Sequence, residues 1–224
     1  KVIRDIQEKY DYPRTVIVAT GKNMPKRIID VASIIKGWQL GASIQSTDPG
    51  VLSASNRQNI TSSAYKKLID FGNKKNSTKT YTDLMIALPG DTKEKHFESL
   101  RWGIDSNVRS IRMHQSIMLV GTDMASKETR KKYDLKTKFR TVPGAVGNYE
   151  ILGKKYPVAE IEEIIIGSNT LSQKDYIDCR VMDLFIQTFY NNYLFEEVFA
   201  LLKSLAVSTF DCMLYIKNHP ELYS

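Results

Sequence analysis

Residues 38–59 read WQLGASIQSTDPGVLSASNRQN, and this segment decides the fold. Its first part, WQLGASIQ, is a short apolar run typical of a buried strand. The turn Asp48-Pro49-Gly50 then prevents the strand from continuing. The segment ends with Arg57 among polar amides. We therefore predict a strand whose carboxyl end is followed by a loop rich in groups that can bind a polar ligand.

A strand followed by an amphipathic helix recurs on both sides of this segment. The predicted strands are RTVIVAT (14–20), WQLGASIQ (38–45), TYTDLMIALPG (80–90) and VRSIRMHQSIML (108–119). The helical patterns are PKRIIDVASIIKG (25–37), SSAYKKLIDFGNK (62–74), TKEKHFESLRWGID (92–105) and SKETRKKYD (126–134). This succession predicts parallel strands joined by right-handed crossovers.

The predicted fold class is α/β, in the form of a partial parallel (β/α) barrel with a helical C-terminal extension. Four strands are too few to close a barrel, and an open parallel sheet leaves an unprotected edge. We therefore expect the later half of a TIM-like barrel, with its first strands before Lys1, where the sequence starts in a helical pattern without an initiator methionine. The polar segments after the strands should meet at one end of the sheet, where a ligand site is predicted.

The pattern changes near Thr137, and we predict a barrel part at 1–136 and an extension at 137–224. The segment KFRTVPGAVGNYEILGKKYPVAE, at 138–160, contains several prolines and glycines and predicts loops. EIEEIIIGSNT, at 160–170, predicts one further strand.

Two long apolar helices, at about 173–190 and 194–217, are predicted to complete the extension. Ser172 is predicted to cap the first of them, with Asp175 as the acidic partner of a capping box. Charged residues interrupt the second, and no apolar run reaches the roughly 18–20 residues that a membrane span needs. We therefore predict packed helices and no membrane partner.

The composition is typical of a soluble globular chain, with 42% hydrophobic and 25% charged residues. Cys179 and Cys212 lie in apolar helical patterns, which predicts buried thiols in a reducing, cytoplasmic compartment and no metal site built by this chain. The formal net charge of +7 comes from scattered lysines and arginines without a nucleic-acid-binding motif. A solvated basic surface explains this charge better than nucleic-acid binding does.

Two segments in this order resemble the later half of the core of radical S-adenosylmethionine (SAM) enzymes. In that family one strand ends in a Ser/Gly-x-Gln-Ser element, which SIQS at 43–46 matches, and the next strand is similar to DLMIALPGDT at 83–92. The resemblance covers about residues 14–123. The later segments ETRKKYDLKTKFR and AEIEEIIIGSNTLS resemble the subgroup whose N-terminal part binds cobalamin.

The resemblance implies five SAM-binding residues. It places Arg57 on the α-carboxylate, Gln45 beside the methionyl part and Asp83 near the ribose. Ser43 and Ser46 would add hydrogen bonds. These residue types suit the ligand, because a guanidinium binds a carboxylate bidentately, an amide donates and accepts, and a carboxylate accepts from ribose hydroxyls. Taken alone, Arg57 also suits an ion pair at a helix entry, and Gln45 suits a hydrogen bond to a loop backbone.

The segment LPGDT at 88–92 is interpreted first as a turn, with Asp91 or Thr92 capping the next helix. The histidines are less informative. His96 is predicted on a solvated helix face, whereas His114 either faces a substrate or is a satisfied core residue.

The resemblance implies an enzyme in which a [4Fe–4S] cluster reduces SAM to give a 5′-deoxyadenosyl radical, with cobalamin extending the chemistry to methyl transfer. The family's CxxxCxxC cluster loop is absent from the sequence, and we expect it before Lys1. This chain alone would then not cleave SAM. The implied partners are a small-molecule substrate of unknown identity and a one-electron reductant such as flavodoxin or ferredoxin.

A second hypothesis is a non-catalytic α/β-barrel fragment that binds a phosphorylated or nucleic-acid ligand through Arg57 and the basic surface. Salt-sensitive binding to RNA would favour this hypothesis. Tight SAM binding that is lost on Arg57→Ala would favour the enzyme.

Overall fold

The computed structural model describes residues 1–18, 24–74 and 80–222. The helices are α1 (Val2–Tyr10), α2 (Pro25–Ile34), α3 (Pro49–Ala54), α4 (Ser62–Lys74), α5 (Lys93–Asp105), α6 (Lys127–Lys132), α7 (Gln173–Phe185), α8 (Glu196–Ser204) and α9 (Thr209–Asn218). The strands are β1 (Leu40–Gly41), β2 (Thr80–Ile86), β3 (Ser110–Gln115), β4 (Lys136–Ile151) and β5 (Lys154–Gly167). Short 3-10 turns lie at Asp123–Ala125 and Pro220–Leu222, and a π-helical turn follows α7 at Ile186–Tyr190.

The strands β1, β2 and β3 form one parallel sheet in the order of the chain. The register of β2 and β3 places Asp83 beside Arg112 and Met85 beside His114. Helices α4 and α5 follow β1 and β2, as the predicted strand–helix alternation requires. The predicted α/β class and parallel strand pairing are therefore confirmed.

The first two predicted strands are shorter in the structure than in the sequence pattern. Of residues 14–20, the structure shows one parallel bridge between Val16 and Trp38, and the last two residues lie outside the described part of the chain. Beyond β1, Gln45 forms an isolated parallel bridge with Leu84. The described residues thus form a three-stranded parallel sheet. The predicted partial barrel is not confirmed by this sheet.

Side chains along β2 point alternately to a buried face and to a less buried face of the sheet. Thr82, Leu84 and Ile86 have no solvent exposure. Leu84 shares a core cluster with residues of α4 and α5, namely Tyr65, Leu68, Ile69, Leu100 and Ile104. Complete burial of one such aliphatic side chain contributes about 1.5–3 kcal/mol. Because this face is fixed against the helices, Asp83 and Met85 point to the opposite, less buried side of the sheet.

The segment at 138–160, predicted as loops, instead forms most of a long antiparallel hairpin of β4 and β5, so that prediction is wrong. A register shift between Thr141 and Val146 contains the Pro-Gly pair that suggested a loop. Leu152 and Gly153 form the hairpin turn, with φ angles of 52° and 76°. Two consecutive positive φ angles match the right-handed twist of hairpin strands. A leucine at the first of these positions does not predict such a turn from the sequence.

The base of the hairpin joins the carboxyl end of the parallel sheet. Ile117 and Ile164 form an antiparallel bridge, and the backbone N–H of Met118 donates to the carbonyl of Glu163 at 2.8 Å. The predicted strand at 160–170 is therefore confirmed as the last part of β5. β5 therefore lies beside the segment that follows β3, at the end of the sheet where the site was predicted. The proposed division at 136/137 stays a prediction.

The C-terminal region is helical, as predicted, but its last part is broken. Ser172 caps α7 by accepting a hydrogen bond from the backbone N–H of Asp175 at 3.1 Å, which confirms the predicted cap. The single helix predicted at 194–217 is wrong, because Ser208 caps a new helix and α8 meets α9 at 114°. In the described ranges, no single helix is long and apolar enough to cross a membrane. Only the bent pair of α8 and α9 reaches the required length and apolar composition when the two helices are taken together.

Candidate functional site

A cleft of about 690 Å³ opens at the carboxyl end of the parallel sheet. This volume lies within the range of small-molecule binding sites. Four of the five residues predicted for the site line the cleft: Ser43, Gln45, Arg57 and Asp83. The fold thus brings together side chains from β2 and from the segments that follow β1 and α3.

The carboxylate of Asp83 connects the three parallel segments. Ser43 donates a hydrogen bond to Oδ2, and Nε2 of His114 lies 3.2 Å from Oδ1. Burial by itself raises the pKa of Asp83, but the hydrogen bonds from His114 and Ser43 bring it below its usual value. Asp83 is therefore ionised at neutral pH, and its partners offset the cost of partial burial.

His114 lies in the cleft with 56% of its side chain exposed, so its interpretation as a core residue is wrong. The hydrogen bond with Asp83 raises the pKa of His114 above its usual value, although partial burial opposes this shift. Contact between His114 and a substrate stays a prediction.

Arg57 reaches the cleft from the loop that ends α3. Asn56 adopts a left-handed conformation, with φ 52°, and the N–H of Arg57 then donates to the carbonyl of Leu52 at 2.8 Å. These bonds close the helix and fix the start of the side chain. The guanidinium forms no hydrogen bond or ion pair with any residue that the structure describes. The alternative of an arginine paired to a carboxylate at a helix entry therefore finds no support.

Gln45 presents an acceptor without a partner. Its backbone, with φ 59°, exchanges hydrogen bonds with β2: the N–H of Gln45 donates to the backbone carbonyl of Asp83 at 2.9 Å, and the N–H of Met85 donates to the backbone carbonyl of Gln45 at 2.8 Å. Its side-chain Oε1 is buried and has no hydrogen-bond partner among the described residues. A buried acceptor left unpaired costs about 1–3 kcal/mol, so a ligand that donates to it gains affinity.

Ser46 is the predicted site residue that does not line the cleft. It is 3% exposed, and its hydroxyl accepts a hydrogen bond from the N–H of Asp48 at 3.2 Å. Its carbonyl accepts from the side-chain amide of Asn59 at 2.9 Å. In the structure Ser46 shapes the loop between β1 and α3, and its role as a SAM contact stays a prediction.

The LPGDT segment forms the predicted turn and cap. Thr92 caps α5 by accepting from the N–H of Lys95 at 3.2 Å. Asp91 is 1% exposed and accepts from the backbone N–H groups of Ala87 and Thr92, at 3.2 and 3.0 Å. Burial raises the pKa of Asp91 to about 6. This rigid turn presents Pro89 to the cleft.

The prediction for His96 is wrong. The side chain is buried, and its Nε2 lies 2.9 Å from Oδ1 of Asp183 on α7. The hydrophobic pattern of α5 alone does not show this contact, because its partner lies 87 residues further along the chain.

The opposite wall of the cleft includes Arg140 on β4, a segment that the sequence analysis predicted as a loop. Nε of Arg140 donates to Glu162 at 2.6 Å, and Arg140 also donates to Gln115. Gln115 in turn donates to the hydroxyl of Tyr176 on α7. Arg140 and Glu162 are cross-strand partners in the hairpin. Opposite charges at facing positions of two strands indicate pairing, but this signal is usable only once β4 is recognised as a strand.

No group of three or more His, Cys, Asp or Glu side chains in residues 1–18, 24–74 and 80–222 is arranged to hold a metal ion. Cys179 is buried and Cys212 is partly buried, and neither forms a disulfide. Burial raises the pKa of the Cys179 thiol, which keeps it protonated. A thiolate ligand set for a cluster is therefore not found in the described part of the chain.

No family model matches the chain. Two curated proteins are similar to it. The 2-(S-pantetheinyl)-carbapenam-3-carboxylate methyltransferase of Streptantibioticus cattleyicolor is 28% identical over 190 residues, which are 80% of this chain and 26% of that protein. The cobalamin-dependent radical SAM methyltransferase TokK of Streptomyces tokunonensis is 30% identical over 177 residues, which are 74% of this chain and 24% of that protein.

The chain thus spans about a quarter of the length of these two relatives. Both relatives are methyltransferases, and one is named as a cobalamin-dependent radical SAM enzyme. The similarity relates the chain to enzymes of this kind at a coarse level, in agreement with the resemblance of its strand-end motifs.

Proposed function

We propose that the cleft binds SAM and that the protein is a cobalamin-dependent radical SAM methyltransferase. The supporting observation is the pair of unsatisfied groups that line the cleft. The guanidinium of Arg57 has no ion-pair partner, and Oε1 of Gln45 has no hydrogen-bond donor, among the residues that the structure describes. A ligand with both a carboxylate and an ammonium group satisfies both.

The amino-acid end of SAM fits these two residues. Arg57 binds the α-carboxylate through parallel hydrogen bonds, and its fixed starting point at the end of α3 limits the entropy lost on binding. Oε1 of Gln45 accepts from the α-ammonium. A hydrogen bond to a charged group contributes about 1.5–3 kcal/mol, and neither group has another partner among the described residues.

The nucleoside end of SAM fits Asp83. Its ionised carboxylate lies in the same cleft and accepts from the ribose hydroxyls, while Ser43 holds one of its oxygens. Met85 and Met113 add apolar surface to the cleft wall, which suits the adenine and methylthio parts. Ser46 contributes through the loop that it shapes.

The iron–sulfur cluster and cobalamin supply the electron and the methyl carrier of such an enzyme when they are bound. Their ligands are proposed outside the described residues, since no thiolate set lies within them. The residues of this chain bind and orient SAM, and a one-electron reductant such as flavodoxin or ferredoxin is a proposed partner. The substrate is proposed to be a small organic molecule that lies between SAM and the wall of Gln115 and Arg140.

Ligand binding through the basic surface has less support. Besides Arg57, the arginines that line the cleft are used internally, because Arg140 pairs with Glu162 at 2.6 Å and Arg180 pairs with Asp183 at 3.2 Å. Such neutralised cations contribute little to the phosphate contacts of a nucleic-acid site.

The test measures the products of SAM in the intact protein, prepared anaerobically with iron, sulfide, cobalamin and a chemical reductant. We expect 5′-deoxyadenosine and S-adenosylhomocysteine from wild-type protein, and a loss of at least about tenfold in both for Arg57→Ala. Arg109→Ala, just before β3 and away from the cleft, is the matched control and should keep full activity. Formation of neither product by wild-type protein with full cluster content would contradict the proposal.

A further inference from the structure

A chain of hydrogen bonds crosses the open face of the sheet from one strand segment to the next. Ser43, after β1, donates to one oxygen of Asp83 on β2. His114 on β3 lies 3.2 Å from the other oxygen. Since an ionised carboxylate only accepts, Nε2 of His114 carries the hydrogen of this bond. Both oxygens of Asp83 are therefore held by neighbouring strands.

This arrangement leaves Asp83 with unused acceptor positions in fixed directions. A carboxylate has about four acceptor positions, two on each oxygen. Ser43 and His114 each occupy one, on different oxygens. Among the residues that the structure describes, no further side chain takes the remaining position on each oxygen. Two adjacent acceptors match the two adjacent hydroxyls of a ribose.

Arg112, the second basic residue beside Asp83, does not hydrogen-bond its carboxylate. Arg112 is its partner in the strand register, but its guanidinium lies 4.0 Å from the ring centroid of Tyr81 and donates to Gln39 at 3.3 Å. On β3 the side chain that hydrogen-bonds Asp83 is therefore His114. Because more than half of the His114 side chain is exposed, the hydrogen bond contributes to the site more than to the core.

We propose that His114 is a positioning residue of the SAM site, which holds Asp83 in the orientation that accepts from both ribose hydroxyls. This inference rests on the proposed function, since it assigns the ribose to Asp83. It predicts that the effect of His114 on binding depends on the ribose hydroxyls of the ligand and not on its amino-acid end.

The test uses two probes that contain different parts of SAM. 5′-Methylthioadenosine has the adenine and ribose but lacks the carboxylate and ammonium, and its 2′-deoxy analogue lacks one ribose hydroxyl as well. Dissociation constants of SAM and of both probes are measured for the intact wild-type protein and for the variants His114→Ala, His114→Gln and Arg57→Ala. A glutamine amide can place a donor close to the position of Nε2, so His114→Gln is the conservative variant.

We expect His114→Ala to weaken 5′-methylthioadenosine about tenfold, and its 2′-deoxy analogue by less than about twofold. His114→Gln should restore most of the loss, and Arg57→Ala should weaken SAM but not 5′-methylthioadenosine. Equal losses for the two probes in His114→Ala, or no loss for either, would overturn the role of His114. If SAM and 5′-methylthioadenosine fail to bind the wild-type protein, the SAM site itself is wrong. If SAM binding weakens in Arg57→Ala but not in His114→Ala, the positioning role of His114 is rejected and the SAM site is retained.

Discussion

The imidazole of His96 on α5 lies 2.9 Å from the carboxylate of Asp183 on α7, and the two side chains are 1% and 3% exposed. Arg180, which lines the cleft, contacts the second oxygen of Asp183 at 3.2 Å. Breaking one partner of a buried pair leaves an unpaired polar group in the interior. This pair therefore holds α7 against α5 behind the cleft.

Replacing His96 by leucine should lower the free energy of unfolding of the 224-residue chain by about 3–5 kcal/mol, because Oδ1 of Asp183 would remain buried without a partner while Arg180 contacts only Oδ2. Urea unfolding measures this loss. Glu98→Gln is the matched control on the same helix, where the side chain is 67% exposed and its ion pair with Arg101 is 3.8 Å long. The control should change stability by less than about 1 kcal/mol. Equal effects for the two variants would contradict the buried-pair account.

The same pair makes stability depend on pH. Burial lowers the pKa of His96, but the hydrogen bond to Asp183 raises it, and the result lies above its ordinary value of 6.5. A folded-state pKa that exceeds the unfolded value gives stability that is complete below pH 6.5 and is lost as the pH rises through the folded value.

Asp91 also makes the folded state more stable at lower pH. Its pKa is raised to about 6 from 3.8, so the folded state also gains stability as the pH falls through about 6. We therefore expect the free energy of unfolding to increase from pH 8 to pH 6 mainly through His96, because the gain from Asp91 comes mostly below pH 6. His96→Gln should reduce this increase, and a profile that is identical in the variant would exclude His96 as its source.

The base of the hairpin depends on a partly buried ion pair. Arg130 binds both oxygens of Glu163 at 2.6 Å, and this pairing lowers the pKa of Glu163 to about 2. Glu163→Gln should lower the free energy of unfolding by about 1–2 kcal/mol. Asp134→Asn removes the pair of Asp134 with Lys136, in which both side chains are 60% exposed, and should have almost no effect. A comparable loss in both variants would show that burial does not set the strength of these pairs.

Close contact between β1 and β2 requires the glycine at position 41. A Cβ atom on Gly41 would lie 2.5 Å from the carbonyl oxygen of Tyr81, which belongs to the backbone and cannot move without distorting the sheet. Gly41→Ala should therefore destabilise the chain by about 1–3 kcal/mol or more, measured by thermal unfolding. Gly147→Ala in the hairpin is the control, because its Cβ atom meets only ordinary contacts from 3.7 Å outward. A neutral Gly41→Ala would contradict the strand spacing described here.

Local patterns were sufficient to predict the parallel sheet and most of its helices. Short-range chemistry explains the hydrophobic periodicity of β2 and α5 and the turn at LPGDT. It also explains the helix caps Thr92 and Ser172. Four of the predicted site residues meet in one cleft because parallel strands place their carboxyl ends together.

Features that depend on distant contacts were missed. The hairpin was predicted as loops because its Pro-Gly pair lies in a register shift, and its turn uses a leucine with a positive φ. His96 was assigned to solvent because Asp183 lies far away in the sequence. Arg140 reaches the cleft only because β4 pairs with β5. In each case the tertiary partner, and not the local propensity, decides the outcome.

The most direct test of the SAM site is the dissociation constant of SAM, measured by calorimetry on the intact protein and on the variants Arg57→Ala and Arg109→Ala. We expect saturable binding to wild type and to Arg109→Ala, and an affinity that is about tenfold to a hundredfold weaker in Arg57→Ala. This result would assign the free guanidinium in the cleft to the carboxylate of SAM. Equal affinity in all three proteins, or no binding to the wild type, would contradict that assignment.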